Sequence, residues 1–314
     1  MNVAAKLGSL EPSPDDEDTA NTTAMAYDQA GEDYLAYADG DPGQLYSFDG
    51  DYAFADRTVW AMLDRILTTR RASGESSIRI LDAGCGPGTW LRRMINRAQI
   101  LGFDQISARG FDVANAQVRR ARLLSRELST APGVDLTFEV GDLSGPLPEA
   151  DQSVDLCLCL YGVLNHLPRS ALPAIFAEFA RVTSGRFVGS VRSAGSRPSI
   201  FVDSLDRARD FKQDNTRDRC DVELQDGRRI AFNCHLFTTA ELHELVARRF
   251  EVEDLRGLDM FHGRFAPDPR WNPSSLGANP HVAEELARLE EIYSADPDFM
   301  DRAAHLLLVA RAKL

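Results

Sequence analysis

The sequence predicts an α/β fold in which a parallel sheet is covered by helices on both faces. Three observations carry this expectation. Between Ile78 and Val191, short apolar runs alternate with stretches whose apolar residues recur at helical spacing, the rhythm of repeated βαβ units. The run Val154–Leu160 is apolar at nearly every position, as in a strand buried on both faces. A glycine turn, Gly84-Cys85-Gly86-Pro87-Gly88, closes the first run and opens the first helix of the alternation.

The elements follow in order. Residues 1–24 contain Pro12, Pro14, the acidic run Asp15-Asp16-Glu17-Asp18 and few large apolar groups, so they are expected to be disordered. Residues 25–71 read as a helical cap broken near Gly40-Asp41-Pro42-Gly43. Its first part carries Tyr27, Tyr34 and Tyr37 at near-helical spacing, and its second, Phe54–Thr68, aligns Val59, Trp60, Leu63, Ile66 and Leu67 on one face. Strands are expected at Ile78–Ala83, Ile106–Phe111, Val134–Val140, Val154–Leu160 and Gly185–Val191. Helices are expected at Thr89–Ala98, Asn115–Leu128 and Ala171–Val182.

An insertion at about 193–237 then interrupts the rhythm, with a polar helix over Ser199–Phe211 and a hairpin whose arms, Asp221–Leu224 and Arg228–Phe232, flank Asp226-Gly227. A helix over Thr239–Phe250, capped by Thr238 or Thr239, precedes a strand at Glu251–Leu258. A proline-rich loop at Gly263–Pro280, a helix at His281–Tyr293 and an apolar strand at His305–Ala312 complete residues 72–314, read as one domain.

The balance of 48 Asp plus Glu against 35 Lys plus Arg gives a net charge of −13. Affinity for nucleic acid rests on neutralising phosphates, so this charge argues against nucleic acid or an anionic membrane as partner. No apolar stretch approaches a membrane span, and the N-terminus lacks the apolar core of a signal peptide, so a cytoplasmic location is expected. The five cysteines, Cys85, Cys157, Cys159, Cys220 and Cys234, fall mostly in apolar runs and read as small buried hydrophobes. No Cys/His set has zinc spacing, and no metal is expected.

The chemistry is carried by Ile80-Leu81-Asp82-Ala83-Gly84-Cys85-Gly86-Pro87-Gly88. Residues without a Cβ let the backbone turn tightly and approach a ligand, while the helix that follows offers unpaired N–H groups. The dinucleotide fingerprint is G-x-G-x-x-G; here the spacing is G-x-G-x-G, with Asp82 two residues before the first glycine. This segment resembles motif I of the class I S-adenosylmethionine (SAM)-dependent methyltransferases. Later segments agree in order: Asp112-Val113 at the end of the second strand, Gly141-Asp142-Leu143 after the third, and Tyr161-Gly162-Val163-Leu164-Asn165-His166-Leu167 after the fourth. Gly88 and Asp112 stand 24 residues apart, somewhat more than the family usually shows.

The resemblance implies a doubly wound, mostly parallel seven-stranded sheet with an antiparallel last strand, SAM as cofactor and S-adenosylhomocysteine as product. It assigns Asp82, Ala83, Gly84, Cys85, Gly86 and Gly88 to the cofactor's amino-acid end, Asp112 and Val113 to its ribose, Gly141, Asp142 and Leu143 to its adenine, and Tyr161 to the methionine moiety and substrate. His166 has two readings, a general base on the acceptor or an anchor that bonds backbone carbonyls. Tyr27 and Tyr34 either pack inside the cap or offer aromatic faces to the sulfonium. The expected activity is methyl transfer to O, N or C of a small molecule, with no nucleic-acid or membrane partner and an oligomeric state left open. A nicotinamide-dependent oxidoreductase and a non-catalytic SAM-binding module are the rivals.

The acidity is uneven. Residues 1–24 hold five acids and one Lys, and residues 25–66 hold nine acids and two Arg, which leaves 34 acids against 32 bases in residues 67–314. The charge therefore belongs to the tail and cap, where it is expected to repel polyanions and admit neutral or cationic acceptors.

Overall fold

The computed structural model describes residues 22–28, 45–48, 53–196, 208–261 and 280–313. Helix is found at residues 22–28 (α1) and Ala53–Ala72 (α2). Then come β1 (Ser77–Ala83), α3 (Thr89–Ile100), β2 (Gln105–Asp112), α4 (Asn115–Leu124), β3 (Val134–Val140) and β4 (Val154–Cys159). α5 (Leu172–Val182) leads directly into β5 (Thr183–Arg192). After the insertion strands β6 (Ala208–Asp214), β7 (Arg219–Leu224) and β8 (Arg229–Asn233) come α6 (Thr239–Ala247) and β9 (Phe250–Leu258). The chain closes with α7 (Pro280–Tyr293), α8 (Pro297–Met300) and β10 (His305–Ala312).

The main sheet has the order β3-β2-β1-β4-β5-β10-β9. β1 pairs in parallel with both β2 and β4, and β10 runs antiparallel between β5 and β9. Six strands therefore point one way and β10 the other, the seven-stranded arrangement that the resemblance implies. Strand order reverses at β1 and β4, which opens a crevice beyond their carboxyl ends, where open α/β sheets bind ligands.

Period-two alternation builds the two cores. On β4, Leu156 and Leu158 pack into the cluster under α2 and α3, while Cys157 and Cys159 pack into the opposite cluster under α5 and α6. The same division separates Ile80 from Leu81 on β1 and Val188 from Phe187 on β5. Phe187 is enclosed by the rings of Phe176, Phe179 and Phe250, which fix α5 and β9 against that face. All five cysteines are free and buried.

Within the insertion, β6, β7 and β8 form a separate antiparallel sheet, and the hairpin turns at Asp226-Gly227 as the sequence predicts. The expected polar helix at Ser199–Phe211 is corrected for residues 208–211, which lie in β6; the rest of it falls outside the described residues. The polar run Arg209-Asp210-Phe211-Lys212-Gln213-Asp214 pairs with β7 at the open edge of this sheet, where charged side chains are tolerated. One face of β7 and β8, formed by Cys220, Val222, Ile230 and Phe232, is covered by Ala26 and Tyr27 of α1. Residues 22–24, placed in the acidic tail by composition, are helical, and Thr23 is buried. Tyr34, Tyr37, His262 and most of the proline-rich loop lie outside the described residues.

Candidate active site

Asp82 sits at the carboxyl end of β1, paired with Gly110 of β2 and Leu158 of β4. It is 2% exposed, and its Oδ2 has no hydrogen-bond partner among the described residues. Burial, reinforced by the neighbouring Asp112, pushes this carboxyl up to about 7. A buried carboxylate oxygen without a donor is costly in a fold unless something else supplies one.

The glycine loop wraps this position. The N–H groups of Gly84 and Cys85 both donate to the Phe111 carbonyl, which locks the loop to β2. A Cβ on Gly84 would stand 2.3 Å from Val163 Cγ2, so this glycine is required by packing. Gly86 differs: its φ is +51°, and a Cβ there would meet no atom of the described residues within 4 Å, so among them its backbone faces open space. Gly88, in the left-handed region at φ 79°, is the N-cap of α3 and lends no side chain to the first-turn N–H groups. Ala83 and Cys85 are buried beneath the loop, and burial raises the Cys85 thiol far from reactivity.

Asp112 ends β2. Its Oδ2 accepts from Gly86 N–H at 2.9 Å and its Oδ1 from Ala114 N–H at 2.9 Å, so it ties the glycine loop to the start of α4. Burial raises its pKa against these two bonds, and Asp28 adds to the rise. Each oxygen keeps a lone pair for a further donor. Val113 is half-buried beside it. In the loop after β3, Gly141 N–H donates to the Asp112 carbonyl, Leu143 turns into the core, and exposed Asp142 closes a turn by accepting from Ser144 N–H at 2.7 Å.

After β4 the chain takes a strained path. Tyr161 has φ +55°, held by its N–H donating to Ser190 Oγ at 2.7 Å and by its ring stacked on Trp90. Its hydroxyl donates to Asp56 of α2. Asn165, 0% exposed, donates through Nδ2 to the carbonyls of Arg192 and His235 and accepts from Arg192 N–H through Oδ1. It clamps the end of β5 to the end of the insertion, so it serves as a structural hub.

His166 has both ring nitrogens engaged. Nδ1 lies 2.8 Å from the Asn233 carbonyl, which only accepts, so Nδ1 carries the proton and Nε2 accepts from the Tyr27 hydroxyl at 2.8 Å. Burial holds the ring neutral, lowering its pKa to about 4. α1 is bound twice at this rim, since Asp28 Oδ1 also accepts from Ala116 N–H at the start of α4. His235 is set apart from the crevice chemistry, buried between Asp218 and Glu241 with Arg169 donating to its Nδ1. Among the described residues no group of three or more His, Cys, Asp or Glu is arranged to hold a metal ion, and no helix is long and apolar enough to cross a membrane.

Three features went unread in the sequence: Asn165 as a hub, the Asp56 partner of Tyr161, and a second buried carboxyl, Asp259, just after β9. Asn165 and Asp259 were signalled only by their positions beyond the carboxyl ends of predicted strands, and Asp56, in the first turn of α2, carried no signal.

Residues 80–185, from β1 to the start of β5, match the family model described as "Methyltransferase domain". No curated protein matches significantly. Among solved structures, a SAM-dependent methyltransferase from Clostridium acetobutylicum superposes with a TM-score of 0.51 at 9% identity, covering 81% of this chain and 92% of its own. One from Methanosarcina mazei gives 0.50 at 18% identity over 76% and 94%. The CcbJ methyltransferase from Streptomyces caelestis gives 0.50 at 15% identity over 80% and 95%. At these identities the structures establish a shared fold. Residues 80–185 thus match a methyltransferase domain, and the β3-β2-β1-β4-β5-β10-β9 sheet has the Rossmann-like fold of the methyltransferase structures on which it superposes.

Proposed function

We propose that this protein transfers a methyl group from SAM to a small-molecule acceptor in the cytoplasm. The observation that carries the reading is the buried Oδ2 of Asp82, without a partner among the described residues, at the head of a glycine loop whose Gly86 backbone faces open space among them. An amino-acid ammonium supplies the missing donor at Asp82, and Asp112 retains lone pairs for the hydroxyls of a ribose. Bound SAM brings a sulfonium-activated methyl group, with a neutral thioether as leaving group.

The chain's own residues then position and exclude. Gly84, Gly86 and Gly88 shape the loop, Val113 flanks the ribose side, and Gly141, Asp142 and Leu143 form the adenine side. Tyr161 and Trp90 present an aromatic wall at the methionine end. Tyr27 bonds to His166 and lies over the rim. The two bonds on His166 support it as a positioning residue that fixes the loop after β4, with no free nitrogen to take a proton from an acceptor. The acidic character of residues 25–66 supports a neutral or cationic small molecule over nucleic acid. The buried free thiols fit a reducing cytoplasm.

Calorimetry with S-adenosylhomocysteine, NADH and NADPH tests the cofactor. Binding of the first and neither of the others is expected; the reverse overturns the reading. Label from tritiated methyl-SAM appearing only in tRNA, rRNA or protein would overturn the acceptor class.

A further inference from the structure

Beyond the glycine loop, the same rim of the sheet holds a second buried carboxyl. Asp259 follows the last residue of β9 and is 1% exposed. No side chain among the described residues donates to either of its oxygens, and the Ala55 N–H is the one backbone donor turned toward them. It sits at φ +57°, a backbone state that is uncommon outside glycine. The turn is pinned from α7: Glu290, 0% exposed, accepts from Met260 N–H at 3.1 Å and from Phe261 N–H at 2.7 Å. Asp259 is thereby held against two like charges, Glu290 of α7 and Asp56 of α2.

The groups around it do not resolve this. Burial, Glu290 and Asp56 all oppose its charge, and only the Ala55 N–H and Arg57 favour it. The Arg57 side chain is exposed and its Nη1 reaches the Phe48 carbonyl at 3.5 Å. Tyr161 bonds to Asp56 on the side of the cluster that faces the loop after β4, and His305 of β10 packs edge-on to the same ring. The surroundings are therefore a buried carboxyl with no side-chain donor among the described residues, a second carboxylate tied to a phenol, and the Tyr161–Trp90 stack. A compact organic cation satisfies all three, because an ammonium gives N–H donors to the carboxylates and is attracted to aromatic faces.

We propose that Asp259 and Asp56, beside Tyr161, form a recognition subsite for the ammonium group of an amine-bearing methyl acceptor. The word acceptor rests on the methyl-transfer reading above; the ammonium subsite itself does not. A divalent metal is the poorer occupant, because no three carboxylate, His or Cys groups among the described residues are arranged as metal ligands here. The excess of seven negative charges in residues 25–66, the segment that contributes Asp56, favours approach of a cation.

The test uses the full chain at pH 8 and low salt. Methylamine, benzylamine, phenethylamine and cyclohexylamine are titrated by calorimetry and thermal shift beside methanol, benzyl alcohol, 2-phenylethanol and cyclohexanol, with and without saturating S-adenosylhomocysteine. At least one amine is expected to bind ten-fold or more tightly than its alcohol. Asp259→Asn, isosteric and tolerant of positive φ, is expected to lose that preference at least ten-fold while holding S-adenosylhomocysteine affinity within two-fold. Asp56→Asn is expected to weaken the amine in the same direction. Absence of any amine preference overturns the proposal, as does an Asp259→Asn variant that binds amine normally. Stabilisation by Mg2+ or Zn2+ that Asp259→Asn abolishes, with no amine preference, overturns it in favour of a metal. If S-adenosylhomocysteine fails to bind while the amine results hold, the methyl-transfer reading falls and the subsite stands.

Discussion

Replacing Asp82 with Asn tests the proposed cofactor site most directly, because stability and binding are expected to move in opposite directions. An unfolded-chain aspartate titrates near 3.9. In the fold Asp82 titrates at about 7, because it is buried and faces Asp112. Folding therefore takes up a proton between these values. The cost of Asp82 is absent below pH 4, grows as pH rises through the window, and is complete above pH 7. A rise of about three units corresponds to roughly 4 kcal/mol. Asp82→Asn removes the charge, so without ligand it is expected to be more stable than the parent at pH 8. The gain has a ceiling of about 4 kcal/mol, lowered by whatever the new amide N–H leaves unbonded. S-adenosylhomocysteine gives up a charge-assisted bond of about 1.5–3 kcal/mol, so its affinity is expected to fall roughly 10- to 150-fold. Urea denaturation at pH 5 and pH 8 reads the first effect and calorimetry the second. A variant less stable than the parent at pH 8, or one that binds S-adenosylhomocysteine within two-fold of the parent, would refute the role given to Asp82.

Alanine at two loop glycines separates packing from ligand approach. Gly84→Ala places a Cβ 2.3 Å from Val163 at φ +77° and is expected to destabilise by about 2–5 kcal/mol in urea. Gly86→Ala meets no atom and is expected to cost only about 1–2 kcal/mol of backbone strain, yet to weaken S-adenosylhomocysteine at least ten-fold by calorimetry. His166, lowered to about 4 by burial, stays neutral in the fold, whereas the unfolded chain takes up a proton near 6.5. Its contribution is complete above pH 6.5 and is lost as pH falls toward 4, by at most about 3 kcal/mol; His166→Gln is expected to flatten that part of the pH–stability curve. Methyl transfer by the parent is expected to show no ionisation between pH 5.5 and 7.5 that His166→Gln removes. Asn165→Ala breaks three buried bonds and is expected to lower stability by about 3–4 kcal/mol in urea.

Local chemistry decided what the sequence could reveal. β4 was legible because both its faces are buried, so every position from Leu156 to Cys159 had to be apolar. The glycine loop was legible because Gly84 and Gly88 stand at positive φ between a strand and a helix. β6 was not, since an edge strand rich in Arg, Asp and Lys satisfies its backbone through β7 and carries no apolar stripe of its own. Asn165 and Asp259 were hidden for another reason. Each takes its environment from segments distant in sequence: Asn165 from Arg192 and His235, Asp259 from Asp56 and Glu290. Burial of a polar residue is a property of the assembled rim, and nothing in its immediate neighbours announces it.

The reversed direction of β10 has a consequence for the divergence of acceptor selectivity. Because β10 runs against β5 and β9, His305 at its start reaches the rim that carries Tyr161 and lies opposite Arg192 and Leu258, while Arg311 lies at the far end of the sheet. Eight residues of strand separate the two ends by about 25 Å. Substitutions near Arg311 are therefore expected to combine additively with those at the rim, whereas His305, Arg192 and Asp259 are close enough to be epistatic. A library meant to change the acceptor would randomise these three positions together, although they are drawn from the ends of three strands that are remote from one another in the chain.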